Sequence, residues 1–107
     1  MIPSQMFKGI LEGCVLEVIR QQETYAYEIS EKLKAAGFGE ISEGTIYPII
    51  LRLNKNGLLA SKLRESPVGP KRKYYRLTDA GLAELETFKR SFGSLKQAIE
   101  TLFAEDV

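Results

Sequence analysis

Six apolar residues near the end of the chain, Leu85, Phe88, Phe92, Leu95, Ile99 and Leu102, are spaced 3, 4, 3, 4 and 3 apart. That spacing is the a/d seam of a heptad repeat and predicts one long helix from Thr78, its N-cap, to about Glu105. Little of the chain is left to cover such a seam. The economical cover is the same helix, or the first helix, of a second copy, so a homodimer is expected. Phe7 and Leu11 of the first helix join the six seam residues as the predicted interface. A seam folded back onto its own domain is the alternative. Gly93, beside Phe92, leaves space there.

The chain has 107 residues, room for one domain with a core of modest size. With 44% hydrophobic and 27% charged residues it reads as a soluble globular domain. No apolar run nears the roughly 18 residues of a spanning helix, and the start MIPSQMFKGILEG lacks a basic segment followed by an apolar block. A cytoplasmic protein is expected. There is no histidine and a single cysteine, Cys14. This removes histidine-assisted nucleophiles, the common zinc ligand sets and any internal disulfide, and no metal or cofactor is expected. Cys14 sits in an apolar helical stripe and reads as an inert thiol. Acidic pairs such as Glu28 and Glu31 read as a solvated helix face, so no enzyme is expected.

The net charge is only +1, but its distribution is uneven. Residues 62–76 hold six basic groups against one acidic. A concentrated cationic segment on a balanced domain is the electrostatic footprint of contact with a phosphate backbone.

Apolar periodicity places a first helix over residues 5–20, with Phe7, Leu11, Cys14, Val15 and Val18 on one stripe and Met6, Ile10 and Ile19 beside it. This face is wider than one core requires. Gly9 and Gly13, four apart, either admit a close neighbour or are simply tolerated. A second helix spans 25–36, with Ala26, Ile29, Leu33 and Ala36 inward and Gly37 as its C-terminal cap. Ser42 caps a third, which points Ile46, Ile49, Ile50 and Leu53 inward and stops at Gly57. Its other face carries Thr45, Tyr47, Pro48, Arg52 and Lys55. Pro48 cannot donate within a helix and clashes with the preceding turn, so a distorted or late-starting turn is expected around Gly44 and Thr45. Residues 58–77 change to strand alternation around the turn sequence SPVGPKR, a β-hairpin with Lys71, Arg72, Lys73 and Arg76 at its tip and second strand. One of Tyr74 and Tyr75 points to the core.

Three helices followed by a basic hairpin is the order of a winged helix-turn-helix. The expected fold is mainly α with a small hairpin: a winged helix-turn-helix over residues 1–77 and a dimerisation helix over 78–107, within one compact domain. The third helix fits a major groove about 12 Å wide, and the hairpin lies along the flanking phosphates.

The runs ISEGTIYPIILRLNKNGLL (residues 41–59) and SPVGPKRKYYRLTDAG (residues 66–81), preceded by YAYEI (residues 25–29), resemble the signature segments of PadR-type transcriptional regulators. The resemblance covers nearly the whole chain. It implies a dimeric repressor of the short subtype, often answering to phenolic acids or flat aromatic drugs. Carried over by position, it implies DNA contacts at Ser42, Gly44, Thr45, Tyr47 and Pro48, on the wing at Lys71, Arg72 and Lys73, and through the hydroxyls of Tyr25 and Tyr27. Short members commonly carry a tryptophan in the middle of the last helix, lining a cavity between subunits; here Phe92 holds that position. Phenylalanine stacks on a flat ligand but donates no hydrogen bond. Met6, Ile10 and Phe92 are the residues expected to face an effector, with plain interface packing as the other role open to Phe92.

The function expected is therefore sequence-specific binding of double-stranded DNA by a ligand-responsive homodimeric repressor on an inverted repeat. The alternative is a ligand-binding or protein-interaction module that keeps the winged fold without reading DNA.

Overall fold

The computed structural model describes residues 2–105. Helix α1 (Leu11–Gln21) begins later than its apolar period suggests. Residues 4–10 form turns instead, closed by the Met6 N–H on the Pro3 carbonyl and the Ile10 N–H on the Phe7 carbonyl, both at 2.9 Å. Gly9 explains the delay, since glycine holds a helix about 1 kcal/mol less well than alanine, and the α pattern starts only where Leu11 N–H reaches the Phe7 carbonyl at 3.0 Å.

Helix α2 (Ala26–Leu33) is also shorter than its period. It runs into a wider turn, Lys34–Phe38, where Gly37 at φ 112° takes the left-handed conformation that ends a helix. Helix α3 (Glu43–Lys55) starts on time, against the expectation of a late start. The Ser42 side chain accepts from Thr45 N–H at 3.3 Å, and the Ser42 carbonyl takes Thr45 N–H at 3.0 Å and Ile46 N–H at 3.2 Å. This cap sets the first turn before Pro48 is reached. Pro48 lies inside the helix on its exposed side, where the carbonyl of Gly44, four residues earlier, loses its usual donor.

Strands β1 (Leu59–Ser66) and β2 (Gly69–Leu77) pair antiparallel from Leu59 opposite Leu77 to Arg64 opposite Arg72, with an irregularity between Arg64 and Ser66 before the tip. The hairpin is tied to the body by Thr24, just before α2. Its N–H donates to the Tyr75 carbonyl at 3.1 Å and its carbonyl accepts from Tyr75 N–H at 2.7 Å. Thr24 is fully buried, and its hydroxyl donates to Glu28 at 2.5 Å.

Helix α4 (Asp79–Ala104) has 26 residues, about 39 Å of helix. Thr78 begins it: its side chain accepts from Gly81 N–H at 3.1 Å and donates to the Gly57 carbonyl at 2.7 Å. One apolar cluster joins all the elements, with Val15, Leu16, Ile19, Ile29, Leu33, Ile46, Ile50, Leu53 and Leu85 at its centre. Each of these leucines and isoleucines contributes about 1.5–3 kcal/mol by leaving water.

Leu85, assigned to the intersubunit seam by its spacing, and Leu11, assigned to the interface with the wide face of the first helix, are enclosed in this core. Leu85 is taken up because the first two turns of α4 lie against α1, and Leu11 because it turns toward α3, beside Pro48 and Ile49, so both serve the protomer itself. The seam becomes a surface only beyond those two turns of α4. Phe7 and Phe88 are half-buried, and every described residue from Lys89 onward is exposed, including Phe92, Leu95, Ile99 and Leu102. No helix among the described residues is long and apolar enough to cross a membrane.

Candidate nucleic-acid interface

Helix α3 buries Ile46, Ile49, Ile50 and Leu53 and leaves the other side to solvent. The exposed side divides into two flanks. Glu43, Tyr47 and Leu51, four residues apart, form one wall of a groove of about 580 Å³. Tyr25 and Tyr27, at the start of α2, form its floor, and the wing forms the opposite wall with Leu63, Val68, Lys71, Arg72 and Lys73. Thr45, Pro48 and Arg52 face the other way, into a second groove of about 350 Å³ shared with Ser4, Gln5 and Lys8 of the N-terminal turns. Arg52 is held there by Glu12 of α1 at 3.1 Å. Ser42 and Gly44 are exposed at the start of the helix, Ser42 engaged as its cap.

The residues expected to meet DNA thus share one exposed side of the molecule, but α3 parts them: Tyr25, Tyr27, Tyr47 and Lys71 to Lys73 around the first groove, Thr45 and Pro48 on the second. The first groove has the chemistry of a nucleic-acid surface, with three cations on one wall, tyrosine hydroxyls on floor and wall, and exposed leucines between. Tyr75 is the inward member of the tyrosine pair; burial, and next to that the nearby Tyr47, push its phenol above the usual range. Lys71 lies 3.7 Å from Glu65 across the tip, and both are exposed, so water and salt weaken that pair.

Sequence reasoning missed what surrounds Arg72. Its guanidinium carbon sits 4.5 Å from the centre of the Tyr25 ring. The Tyr25 and Tyr74 ring centres are 5.1 Å apart, tilted by 56°, and the Arg64 guanidinium lies 4.7 Å from the Tyr74 ring. Arg64 forms an ion pair with Glu23, which also approaches Lys62 at 3.7 Å. The signal was the hairpin register: once Arg64 is paired with Arg72, Tyr74 must share their face.

Met6, Ile10 and Phe92, the residues expected to face an effector, do come together. With Ile2, Phe7, Cys14, Phe38 and Phe88 they line a wholly apolar hollow of about 300 Å³ between the N-terminal turns and α4. Phe88 and Phe92 stack at 6.2 Å, and Phe7 meets Phe38 edge-on at 5.7 Å. Burial, reinforced by the charge of Glu17, raises the pKa of the Cys14 thiol, which keeps it protonated and unreactive.

Residues 15–87 match the transcriptional regulator PadR-like family. Over 85 residues the chain is 32% identical to the transcriptional regulator Rv3488 of Mycobacterium tuberculosis, covering 79% of this chain and 78% of that one. Among solved structures it is similar to a PadR-like transcriptional regulator from Bacillus cereus, with 50% identity, a TM-score of 0.86, and coverage of 96% and 100% of the two chains. It is also similar to Bacillus subtilis PadR in complex with operator DNA, with 26% identity and a TM-score of 0.67 over 74% of this chain and 47% of that one.

Proposed function

The chain belongs to the PadR-like family of transcriptional regulators, and from that premise we propose that it is a homodimeric repressor that binds an inverted-repeat operator and releases it on taking up an apolar effector. The observation that carries this reading is the groove between α3 and the wing, with Tyr47 and Leu51 on one side and Lys71, Arg72 and Lys73 on the other.

In this reading residues 1–77 read DNA and, within the helical region 78–107, the exposed stretch of α4 beyond the core joins two copies. The exposed flank of α3 enters a major groove, where Tyr47 and Leu51 meet base edges, and the wing cations lie on the neighbouring phosphates. Two heads related by a twofold axis address half-sites one helical turn, roughly 34 Å, apart. Repression follows from occupying the promoter. The effector class is a flat, largely uncharged aromatic molecule, because the hollow beside Phe92 offers stacking faces and, apart from the weak Cys14 thiol, no hydrogen-bonding side chain. Its entry would shift α1 against α4 and so change the spacing of the two heads. The role is one of binding, with no chemical step.

The test is binding to duplex DNA recovered from the source genome by selection on the protein itself. With three wing cations in each of two protomers, log affinity should fall against log salt with a slope near −5. Replacing Lys71, Arg72 and Lys73 by alanine should abolish binding. Failure to recover any bound duplex, or a flat salt dependence, would overturn the reading in favour of a winged module that serves a ligand or a protein partner; DNA binding that survives the triple substitution would take the wing cations out of the contact.

A further inference from the structure

Arg64 and Arg72 stand directly opposite each other across the hairpin. Like charges in that position repel, and both side chains would ordinarily swing apart into water. Here neither does. Arg64 is drawn to the Glu23 carboxylate and lies over the ring of Tyr74, Tyr74 meets Tyr25, and Tyr25 carries Arg72. The Thr24–Tyr75 bridge makes this possible, because it turns Glu23 and Tyr25, the neighbours of Thr24, to the face of the wing that Tyr74 shares.

Resting on the DNA-binding reading, we infer that Arg64, Tyr74, Tyr25 and Arg72 form one stacked unit that holds the Arg72 guanidinium ready for a DNA phosphate, with Tyr74 as its positioning residue and Glu23 as its anchor. The two arginines are not equivalent. Glu23 neutralises Arg64, whereas among the described residues no carboxylate forms an ion pair with Arg72. The stack therefore leaves one compensated charge at its inner end and one uncompensated charge at the mouth of the groove. A ring beneath a guanidinium covers only its face. The N–H donors in its plane stay free for the two-pronged contact with phosphate oxygens that arginine makes well. Fixing the side chain before DNA arrives also removes part of the ordering cost from the binding step.

Tyr74 tests this because it lies outside the groove lining and acts only through its neighbours. The probe is a fluorescent mixed-sequence duplex of about 30 base pairs, three helical turns, at low salt, where phosphate contacts dominate. Tyr74→Leu is expected to weaken binding about two- to five-fold, the range of an exposed cation–π contact, while Tyr74→Phe, which keeps the ring, binds like the parent. In an Arg72→Ala background, Tyr74→Leu should cause no further loss. Tyr74→Ile, which likewise removes the ring, changes no charge and suits a strand, should show the same dependence on Arg72 and serves if Tyr74→Leu does not fold. The inference is overturned if Tyr74→Leu binds like the parent, or if it loses the same factor with Arg72 already gone, which would mark an effect on the wing as a whole. Failure of the parent protein to bind the duplex at all would instead overturn the DNA-binding reading.

Discussion

Gly13 of α1 abuts the ring of Phe88 of α4 so closely that a Cβ on Gly13 would fall within 3.0 Å of three ring carbons. The small residue is therefore what lets the two helices meet. Gly13→Ala gains about 1 kcal/mol of helix propensity but forces the ring off its stack with Phe92, and overpacking of this kind costs about 1–3 kcal/mol. The expected net is a loss of about 1 kcal/mol in urea denaturation at fixed protein concentration. Gly9→Ala, with nothing within 4 Å of its Cβ, should change stability by less than about 0.5 kcal/mol. A Gly13→Ala variant more stable than the parent would contradict this packing.

Thr78 and Gly81 together fasten α4 to the rest of the molecule. Thr78 N–H donates to the Leu58 carbonyl at 3.0 Å, and a Cβ on Gly81 would run into that same carbonyl. A backbone group cannot rotate aside as a side chain can. Gly81→Ala should therefore cost more than Gly13→Ala, on the order of 2–3 kcal/mol. Thr78→Ala should cost about 1 kcal/mol, and Thr78→Ser, which keeps the capping oxygen, much less. Equal melting temperatures for Thr78→Ser and Thr78→Ala would show that the cap contributes nothing.

Most of this architecture is written in local patterns. The inward stripe Ile46, Ile49, Ile50 and Leu53, the Ser42 and Thr78 caps, and the hairpin around SPVGPKR depend on neighbours within a few residues, and period and cap chemistry suffice to find them. The start of α1 misled because Met6, Phe7 and Ile10 keep a helical period while folding as turns; they serve an apolar hollow, which needs the same side chains as a helix face. Leu85 and Leu11 misled for a related reason: neither the heptad spacing that holds Leu85 nor the wide apolar face of the first helix that holds Leu11 says by which chain a residue is covered. The Arg64 to Arg72 stack was only half legible: the strand register puts Tyr74 with the two arginines, but the bridge from Thr24 to Tyr75, 51 residues apart in sequence, follows from no local pattern. Likewise, the division of α3 into two flanks depends on where the N-terminal turns settle.

The exposed seam leads to a prediction about assembly. Leu95 is 48% and Leu102 68% exposed on a helix with no described element over that stretch, an apolar surface of the kind that a second copy covers. Sedimentation should find the parent as a dimer, and Leu95→Glu with Ile99→Glu as a folded monomer, because the core ends before these residues. The monomer should bind operator DNA at least tenfold more weakly, since tethering the heads supplies the second one at high local concentration. A double variant that stays dimeric would move the interface elsewhere.

Glu17 supplies the last prediction, in acid. Its carboxylate accepts two hydrogen bonds from Arg20 at 2.8 Å and one from Gln21 at 2.9 Å, and Lys89 of α4 lies 3.7 Å away. Chiefly through Arg20, and against the opposing effect of burial, these partners bring its pKa down to about 2 from an ordinary 4.5. The folded protein then binds fewer protons here than the unfolded chain does, so stability from this site is complete above about pH 5, falls as the pH drops from the ordinary value toward 2, and is gone below it. The groups are partly exposed, which limits the contribution to about 0.5–1 kcal/mol. Glu17→Gln should therefore melt lower than the parent at pH 7 and together with it at pH 2, a difference that cancels the carboxylates common to both. The same substitution removes the lesser of the two causes that raise the Cys14 pKa, so alkylation of that thiol should quicken slightly and remain slower than that of a free cysteine. A gap in melting temperature that persists unchanged to pH 2 would mean that the glutamate contributes through packing and not through its charge.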